Sequence, residues 1–327
     1  MGDLNSLISN INSVNQNTFE SVALQVFEYQ FEHCSVYNQY VQALGRPMPQ
    51  SLLEIPFLPI EFFKNHTVKS GNWKSQVVFE SSGTTGASTS RHQVRNEGWY
   101  IDHCIKTFES FYGKLDQFTL LALLPSYIER GNSGLVSMVN AFIEETGSSN
   151  SGFYLNEFDA LVNKLEELRR TKKPTILWGV TFGLLDFVEQ YQIDFPDLIV
   201  METGGMKGRR EELTRVEVHS RLTQGLGVDA IHSEYGMTEL FSQAYSKGDG
   251  LFLPSTTMKV FARDMNDPLS IIKPGKTGAL NIIDLLNVNT CSFIETKDLT
   301  RVYEDGTFEV LGRMDNSDIR GCNLLVV

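Results

Sequence analysis

Val77-Val78-Phe79-Glu80-Ser81-Ser82-Gly83-Thr84-Thr85-Gly86 sets an apolar run directly before six residues that hold four hydroxyls and two glycines. Glycine lets the backbone turn tightly and bring its N–H groups against an anion. Ser and Thr hydroxyls add donors that rotate to the oxygen they meet. The segment predicts a phosphate-binding loop; taken alone it also fits a Ser/Thr-rich surface turn. A Walker A loop needs a Gly-Lys-[Ser/Thr] end so that a lysine reaches the outer phosphates. Here Gly86 is followed by Ala87, Ser88, Thr89, Ser90 and Arg91, which argues against a P-loop NTPase and for another nucleotide chemistry.

Around this stretch, short apolar runs alternate with helical patterns: Phe118 to Leu124 then Leu135 to Glu145, Thr175 to Val180 then Leu184 to Tyr191, Leu198 to Met201 then Arg210 to Thr223. That alternation predicts an α/β sheet with crossover helices. Upstream, residues 16 to 44 carry apolar positions at helical spacing, followed by a connector punctuated by Pro47, Pro49, Pro56 and Pro59. Past residue 250 the texture changes to β-like stretches at Leu251 to Leu253, Met258 to Ala262, Gly278 to Ile283, Ser292 to Glu295 and Thr307 to Leu311. Glu304-Asp305-Gly306 gives a hairpin signal between the last two. The expected organisation is a helical preamble over 1–60, an α/β nucleotide- and acyl-binding body over 61–250, and a β-rich subregion over 251–327.

At 327 residues, with 41% hydrophobic and 21% charged content, the chain reads as an ordinary globular protein. Its formal charge of −12 leaves no basic stripe to neutralise phosphates, so nucleic acid is not expected as a partner. The run Arg169-Arg170-Thr171-Lys172-Lys173 reads as the solvated end of a helix. No long apolar run and no basic-then-apolar start occur, so neither a membrane span nor a secretory signal is expected, and the predicted location is cytoplasmic. Cys34, Cys104, Cys291 and Cys322 lie far apart, which excludes a zinc knuckle or disulfide scaffold. The first three read as buried thiols.

Three further clusters hold reactive side chains. Glu202-Thr203-Gly204-Gly205-Met206-Lys207-Gly208 follows the apolar run Leu198 to Met201. Paired glycines at the carboxyl end of a strand admit a flat ligand against bare backbone, or simply make a tight strand-to-helix turn. In His232-Ser233-Glu234-Tyr235-Gly236-Met237-Thr238-Glu239 an aromatic, a hydroxyl and a carboxylate surround one glycine. Tyr235 can stack on a base, Thr238 can bind phosphate, and Glu239 is the hard oxygen ligand magnesium takes. The end of the chain, Gly312 to Val327, holds Arg313, Asp315, Asp318, Arg320 and the thiol of Cys322.

Ser81 to Gly86, Gly204-Gly205, Tyr235 to Glu239, Thr296-Lys297-Asp298 and Gly312-Arg313-Met314-Asp315 occur in the order and approximate spacing of the core motifs of adenylate-forming enzymes. Within that superfamily the chain most resembles the acyl-protein synthetases of the fatty-acid reductase complex of bacterial bioluminescence. Leu124-Pro125-Ser126-Tyr127-Ile128-Glu129-Arg130-Gly131-Asn132-Ser133 and the ending from Gly312 through Cys322 carry that likeness. The resemblance implies the large N-terminal domain of an adenylate-forming enzyme: layered α/β sheets with a small β-rich subregion, lacking most of the usual C-terminal small domain. It also implies a ligase that uses ATP and magnesium to convert a fatty acid to acyl-AMP. The acyl group then passes to a cysteine thiol and on to a protein partner such as a reductase or acyltransferase. By motif, Ser81, Ser82, Gly83, Thr84, Thr85 and Gly86 would cradle the ATP phosphates with help from Thr238. Glu239 would hold magnesium, and Gly204, Gly205, Tyr235 and Gly236 would line the adenine slot. Asp298 would bind the ribose hydroxyls, Arg313 would support the same nucleotide, and Cys322 would accept the acyl group.

Two departures stand out. Lys297 replaces the glycine of the common Thr-Gly-Asp motif, and the sequence stops just past Arg313-Met314-Asp315, with no lysine after Lys297. In acyl-CoA synthetases that region continues into a domain with a catalytic lysine. The alternatives are an aryl- or acyl-CoA ligase of the phenylacetate type, which the missing segment disfavours, and a non-catalytic nucleotide-binding scaffold subunit. Phe108, Phe111, Tyr112, Leu135, Val136, Met138 and Val139 fit either an acyl tunnel or plain core. His103 is a weaker candidate for meeting the carboxylate.

Overall fold

A computed structural model describes residues 4–81, 89–124, 132–204 and 213–314. The chain begins with α1 (Leu4–Asn12), α2 (Phe19–His33) and α3 (Ser35–Leu44). α2 buries Phe19, Val22, Ala23, Val26, Phe27 and Gln30, the three-and-four spacing of a helix with one face on a core. The helical stretch expected over 16–44 is broken at Cys34, whose extended backbone (φ −104°, ψ 98°) separates α2 from α3. Gln30 is fully buried: Nε2 donates to the Asn287 carbonyl at 2.9 Å and Oε1 accepts from Ser292 N at 2.9 Å. One side chain thus pins the N-terminal helices onto the β-rich part of the chain.

The elements that follow are β1 (Leu58–Pro59), α4 (Phe62–Asn65), β2 (Val77–Glu80), β3 (Arg91–Val94), α5 (Glu97–Tyr112), β4 (Thr119–Leu123), α6 (Gly134–Glu145), β5 (Gly152–Tyr154) and α7 (Phe158–Thr171). Next come β6 (Thr175–Val180), α8 (Thr181–Gln190), β7 (Ile199–Thr203), α9 (Arg215–Leu226), β8 (His232–Tyr235) and β9 (Ala244–Ser246). The last are β10 (Leu251–Pro254), β11 (Met258–Arg263), β12 (Thr277–Asp284), β13 (Phe293–Val302) and β14 (Phe308–Arg313).

Among the described residues one sheet runs β11-β12-β13-β14-β10-β9-β8-β7-β6-β4-β5, with β1 added parallel to β13. From β5 to β8 every pairing is parallel. β4 and β6 are buried along their whole length, as strands covered on both faces must be. From β8 to β9 the pairing turns antiparallel and stays so through β11. The parallel half and the β-rich half therefore share one continuous ladder. β2 and β3 form a separate antiparallel hairpin.

One helix differs from the sequence expectation and one agrees with it. α9 starts at Arg215, not Arg210, because Thr214 and Glu217 close a capping box that fixes its first turn. The basic run 169–173 does end α7, with Lys172 at φ +54° as its C-cap. Cys34, Cys104 and Cys291 are buried free thiols, and no described helix is long and apolar enough to cross a membrane.

Candidate active site

The parallel strands β6, β7 and β8 end side by side at Val180, Thr203 and Tyr235. In open α/β sheets the carboxyl edge of the strands is where ligands bind. Gly204 follows β7 at φ +78°, a conformation that disfavours any other residue, and its carbonyl accepts a hydrogen bond from Thr181 Oγ1 at 3.1 Å. Gly205 lies outside the described residues.

Tyr235 closes β8. Its ring stands edge-on to Phe252 and Phe308 at 5.9 and 5.5 Å, and its hydroxyl donates to Asp298 Oδ2 at 2.7 Å. Asp298 sits on β13 opposite Arg313 on β14, and Arg313 Nε lies 3.5 Å from Asp298 Oδ1. Residues 235, 298 and 313 thus meet at one point, although 63 positions separate the first two. Burial pushes the Asp298 carboxyl up, against the Tyr235 hydrogen bond and the Arg313 charge. The Arg313 side chain is 72% exposed, so water screens its pull. Lys297 occupies an ordinary strand position and pairs with Glu61.

Glu239 is buried beside this cluster. Burial pushes its carboxyl up, opposed by a hydrogen bond with the Ser90 hydroxyl and by the charges of Arg313 and Lys64. Ser90 also ties to Ser81 twice: Ser90 N donates to Ser81 Oγ at 2.9 Å, and Ser81 N donates to the Ser90 carbonyl at 3.0 Å. The base of the hydroxyl-rich loop therefore sits against Glu239. Ser82, Gly83, Thr84, Thr85 and Gly86 lie outside the described residues, as does Cys322. Thr238 is held through its carbonyl, which accepts from His92 Nδ1 at 2.8 Å; His92 Nε2 contacts Thr290 Oγ1 at 3.1 Å. The carbonyl fixes Nδ1–H as the tautomer, and burial pushes the ring pKa down to about 4. Asn287 Nδ2 supports the Glu239 carbonyl at 2.7 Å.

Sequence reasoning did not single out Ser90, His92, Asn287, Glu202 or Glu234. Glu202 and Glu234 sit on opposite faces of the sheet at the ends of β7 and β8. Ser233 Oγ donates to Glu202 at 3.2 Å, with Arg215 Nη1 at 3.8 Å, while Thr203 donates to Glu234. The alternation of Ser233, Glu234 and Tyr235 at a strand end was the available signal. His103 is removed from the cluster: its ring bonds the Trp99 carbonyl at 2.8 Å and Asn12 Oδ1 at 3.1 Å. Phe108, Met138 and Val139 are fully buried in the core. Phe108 packs on Phe142 at 5.1 Å and on Tyr112 at 4.9 Å.

Residues 10–327 match the profile of the acyl-protein synthetase family LuxE. The chain belongs to this family. A search of curated protein sequences found no match for this LuxE-family chain. Among solved structures it is similar to 2-hydroxyisobutyryl-CoA ligase with 2-HIB-AMP and CoA in an open conformation. That likeness has a TM-score of 0.67 and 12% identity over 93% of this chain and 72% of that one. The same ligase in its thioesterification state matches at a TM-score of 0.65 and 14% identity over 97% and 70%. ATP-bound MatB from Rhodopseudomonas palustris matches at a TM-score of 0.54 and 16% identity over 74% of this chain and 49% of that one. The chain thus spans about half the length of MatB. These likenesses show the adenylate-forming fold.

Proposed function

We propose that this LuxE-family chain activates a fatty acid with ATP and passes the acyl group to a cysteine thiol, Cys322, from which a partner protein such as a reductase or acyltransferase takes it. The observation that carries the proposal is the meeting of Tyr235, Asp298 and Arg313 beside buried Glu239. A ring, a hydrogen-bonded carboxylate and a cation converge there at a strand end, suited in turn to a base, a ribose and a phosphate.

Adenylation forms a bond between a carboxylate oxygen of the acid and the α-phosphorus of ATP and breaks the bond to the bridging oxygen, so that pyrophosphate leaves. The donors of Ser81 to Gly86 and Thr238 then meet charge that builds on the phosphates. Glu239 fits a magnesium site as one hard carboxylate: no described cation forms an ion pair with it, and among the described residues no cluster of three ligand-type side chains occurs. Magnesium characteristically takes one or two carboxylates and completes its shell with phosphate and water. When bound it would neutralise phosphate charge. In the second half-reaction the Cys322 thiolate attacks the acyl carbon of the mixed anhydride, AMP leaves, and a thioester remains. The location is expected to be cytoplasmic.

The test is incubation with radiolabelled tetradecanoate and Mg-ATP, followed by hydroxylamine. Label on the protein that hydroxylamine releases, and its loss in Cys322→Ala, is the expected result. Label retained in that variant refutes the role of Cys322. Pyrophosphate exchange that requires an aromatic acid and ignores fatty acids refutes the substrate class. Absence of exchange with every acid favours a scaffold subunit.

A further inference from the structure

Resting on the adenylation reading above, we propose that Glu234 is a substrate-binding residue: its carboxyl receives the carboxylate of the acid to be activated, with Oε1 donating a hydrogen bond beside Gly236. The placement carries the argument. Glu234 Oε2 is engaged by the Thr203 hydroxyl, while Oε1 lies so close to Gly236 that a Cβ there would stand 2.4 Å from it. The carboxyl therefore sits between Thr203 at the end of β7 and Gly236 just after β8, on the face of the sheet that carries Tyr245. A second observation points the same way. Tyr245 lies directly across the β8–β9 ladder from Glu234, and its hydroxyl is fully buried with no hydrogen-bond partner. Such groups in native proteins call for an explanation, and a bound polar ligand supplies one.

The surroundings decide which protonation state Glu234 holds. From β7 it faces the Thr203 hydroxyl, with Glu202 behind the sheet; from β9, Tyr245; from α5, Tyr100 and Cys104; on its own strand His232 shares its face. Arg215 of α9 is engaged with Glu202 on the other face, and no described lysine or arginine pairs with Glu234. Burial, with the Glu202 charge adding to it and the Thr203 bond opposing it, pushes the carboxyl up to about 7. Two carboxylates side by side repel, whereas a neutral acid and a carboxylate share a proton. Binding the acid above pH 7 must therefore draw one proton from solvent onto Glu234.

The experiment is calorimetric titration of decanoate into the protein saturated with magnesium and α,β-methylene ATP, at pH 6 and pH 8, in paired buffers of different ionisation heat. No turnover is needed. The expected result is uptake of nearly one proton per decanoate at pH 8 and almost none at pH 6, with affinity about tenfold weaker at pH 8. Glu234→Gln, a neutral donor of the same shape, takes up no proton at either pH and loses the affinity difference. Tyr245→Phe, which deletes a hydroxyl that nothing described engages, keeps the uptake and weakens binding severalfold. Decanoate binding without uptake at pH 8, or uptake that persists in Glu234→Gln, overturns the proposal and leaves the adenylation reading intact. Nucleotide binding with no decanoate binding at either pH overturns both.

Discussion

Tyr235→Phe isolates a single hydrogen bond at the centre of the candidate site. The ring is held by Phe252 and Phe308, contacts that phenylalanine keeps, so the substitution deletes only the hydroxyl that donates to Asp298 Oδ2 at 2.7 Å. Asp298 is then a buried carboxylate left with Arg313, whose guanidinium is mostly in water and 3.5 Å away. A hydrogen bond to a charged group contributes about 1.5–3 kcal/mol. With a urea slope of about 3 kcal/mol per molar for a chain of this size, the unfolding midpoint falls by roughly 0.5–1 M. Repeating the deletion in an Asp298→Asn background gives the coupling: the hydroxyl then costs at least about 1 kcal/mol less, because the acceptor charge is already gone. A loss below about 0.5 kcal/mol for Tyr235→Phe, or equal losses in the two backgrounds, refutes the reasoning. Nucleotide affinity measured on the same proteins falls in Tyr235→Phe, since Asp298 loses the group that orients it.

Two other perturbations follow from the packing. His92 holds a folded-state pKa of about 4 against 6.5 for the free side chain, so between those values the unfolded chain binds the extra proton. Stability is complete above about pH 6.5 and falls as pH drops toward 4, by up to about 3 kcal/mol from this group. His92→Asn keeps a donor for the Thr238 carbonyl and flattens that acid limb in urea melts run from pH 7 to 4; an unchanged limb sinks the assignment. A Cβ on Gly278 would lie 2.3 Å from the Arg263 carbonyl oxygen and 2.7 Å from Ile272 Cδ1. Gly278→Ala therefore forces the β11 backbone aside at a cost of about 2–3 kcal/mol, with nucleotide affinity unchanged, and a cost under about 1 kcal/mol contradicts the contact.

The alternation of runs was legible because period and length fixed each element: Thr175 to Val180 is β6 to the residue, and Met258 to Ala262 is β11 less its last residue. What stayed illegible depended on long-range partners. Cys34 interrupts a stretch whose apolar spacing alone reads as continuous helix. β8 is a strand because β7 and β9 flank it, whereas its sequence, His232 to Tyr235, is polar enough to read as loop. Tyr235, Asp298 and Arg313 were named from separate motifs, and their contact needs the β14-β10-β9-β8 path that no local pattern contains. Glu234 and His92 were missed for the same reason: a buried acid or histidine is ordinary in sequence, and only the absence of a paired cation among the described residues or the identity of the two carbonyl and hydroxyl partners gives it meaning.

The hairpin of β2 and β3 ties these observations into one electrostatic argument. Ser90 joins the loop base to Glu239, and His92, two residues on, holds the Thr238 carbonyl, so β3 is tied to both residues of the Thr238-Glu239 turn. The same neighbourhood holds buried Glu239 and Asp298 against an exposed Arg313 and an exposed Lys64. A triphosphate brought to this place meets carboxylates that burial leaves poorly screened and cations that water screens well. Loop N–H groups and hydroxyls carry only partial charges. On the proposed function, nucleotide binding is expected to depend on a divalent cation that Glu239, hydrogen-bonded to Ser90, would help to hold; nucleotide affinity unchanged by EDTA refutes this. The lysine that a Walker loop places among the phosphates has no equivalent in Ser81 to Gly86, so on this proposal the charge it would supply is expected to come from the metal.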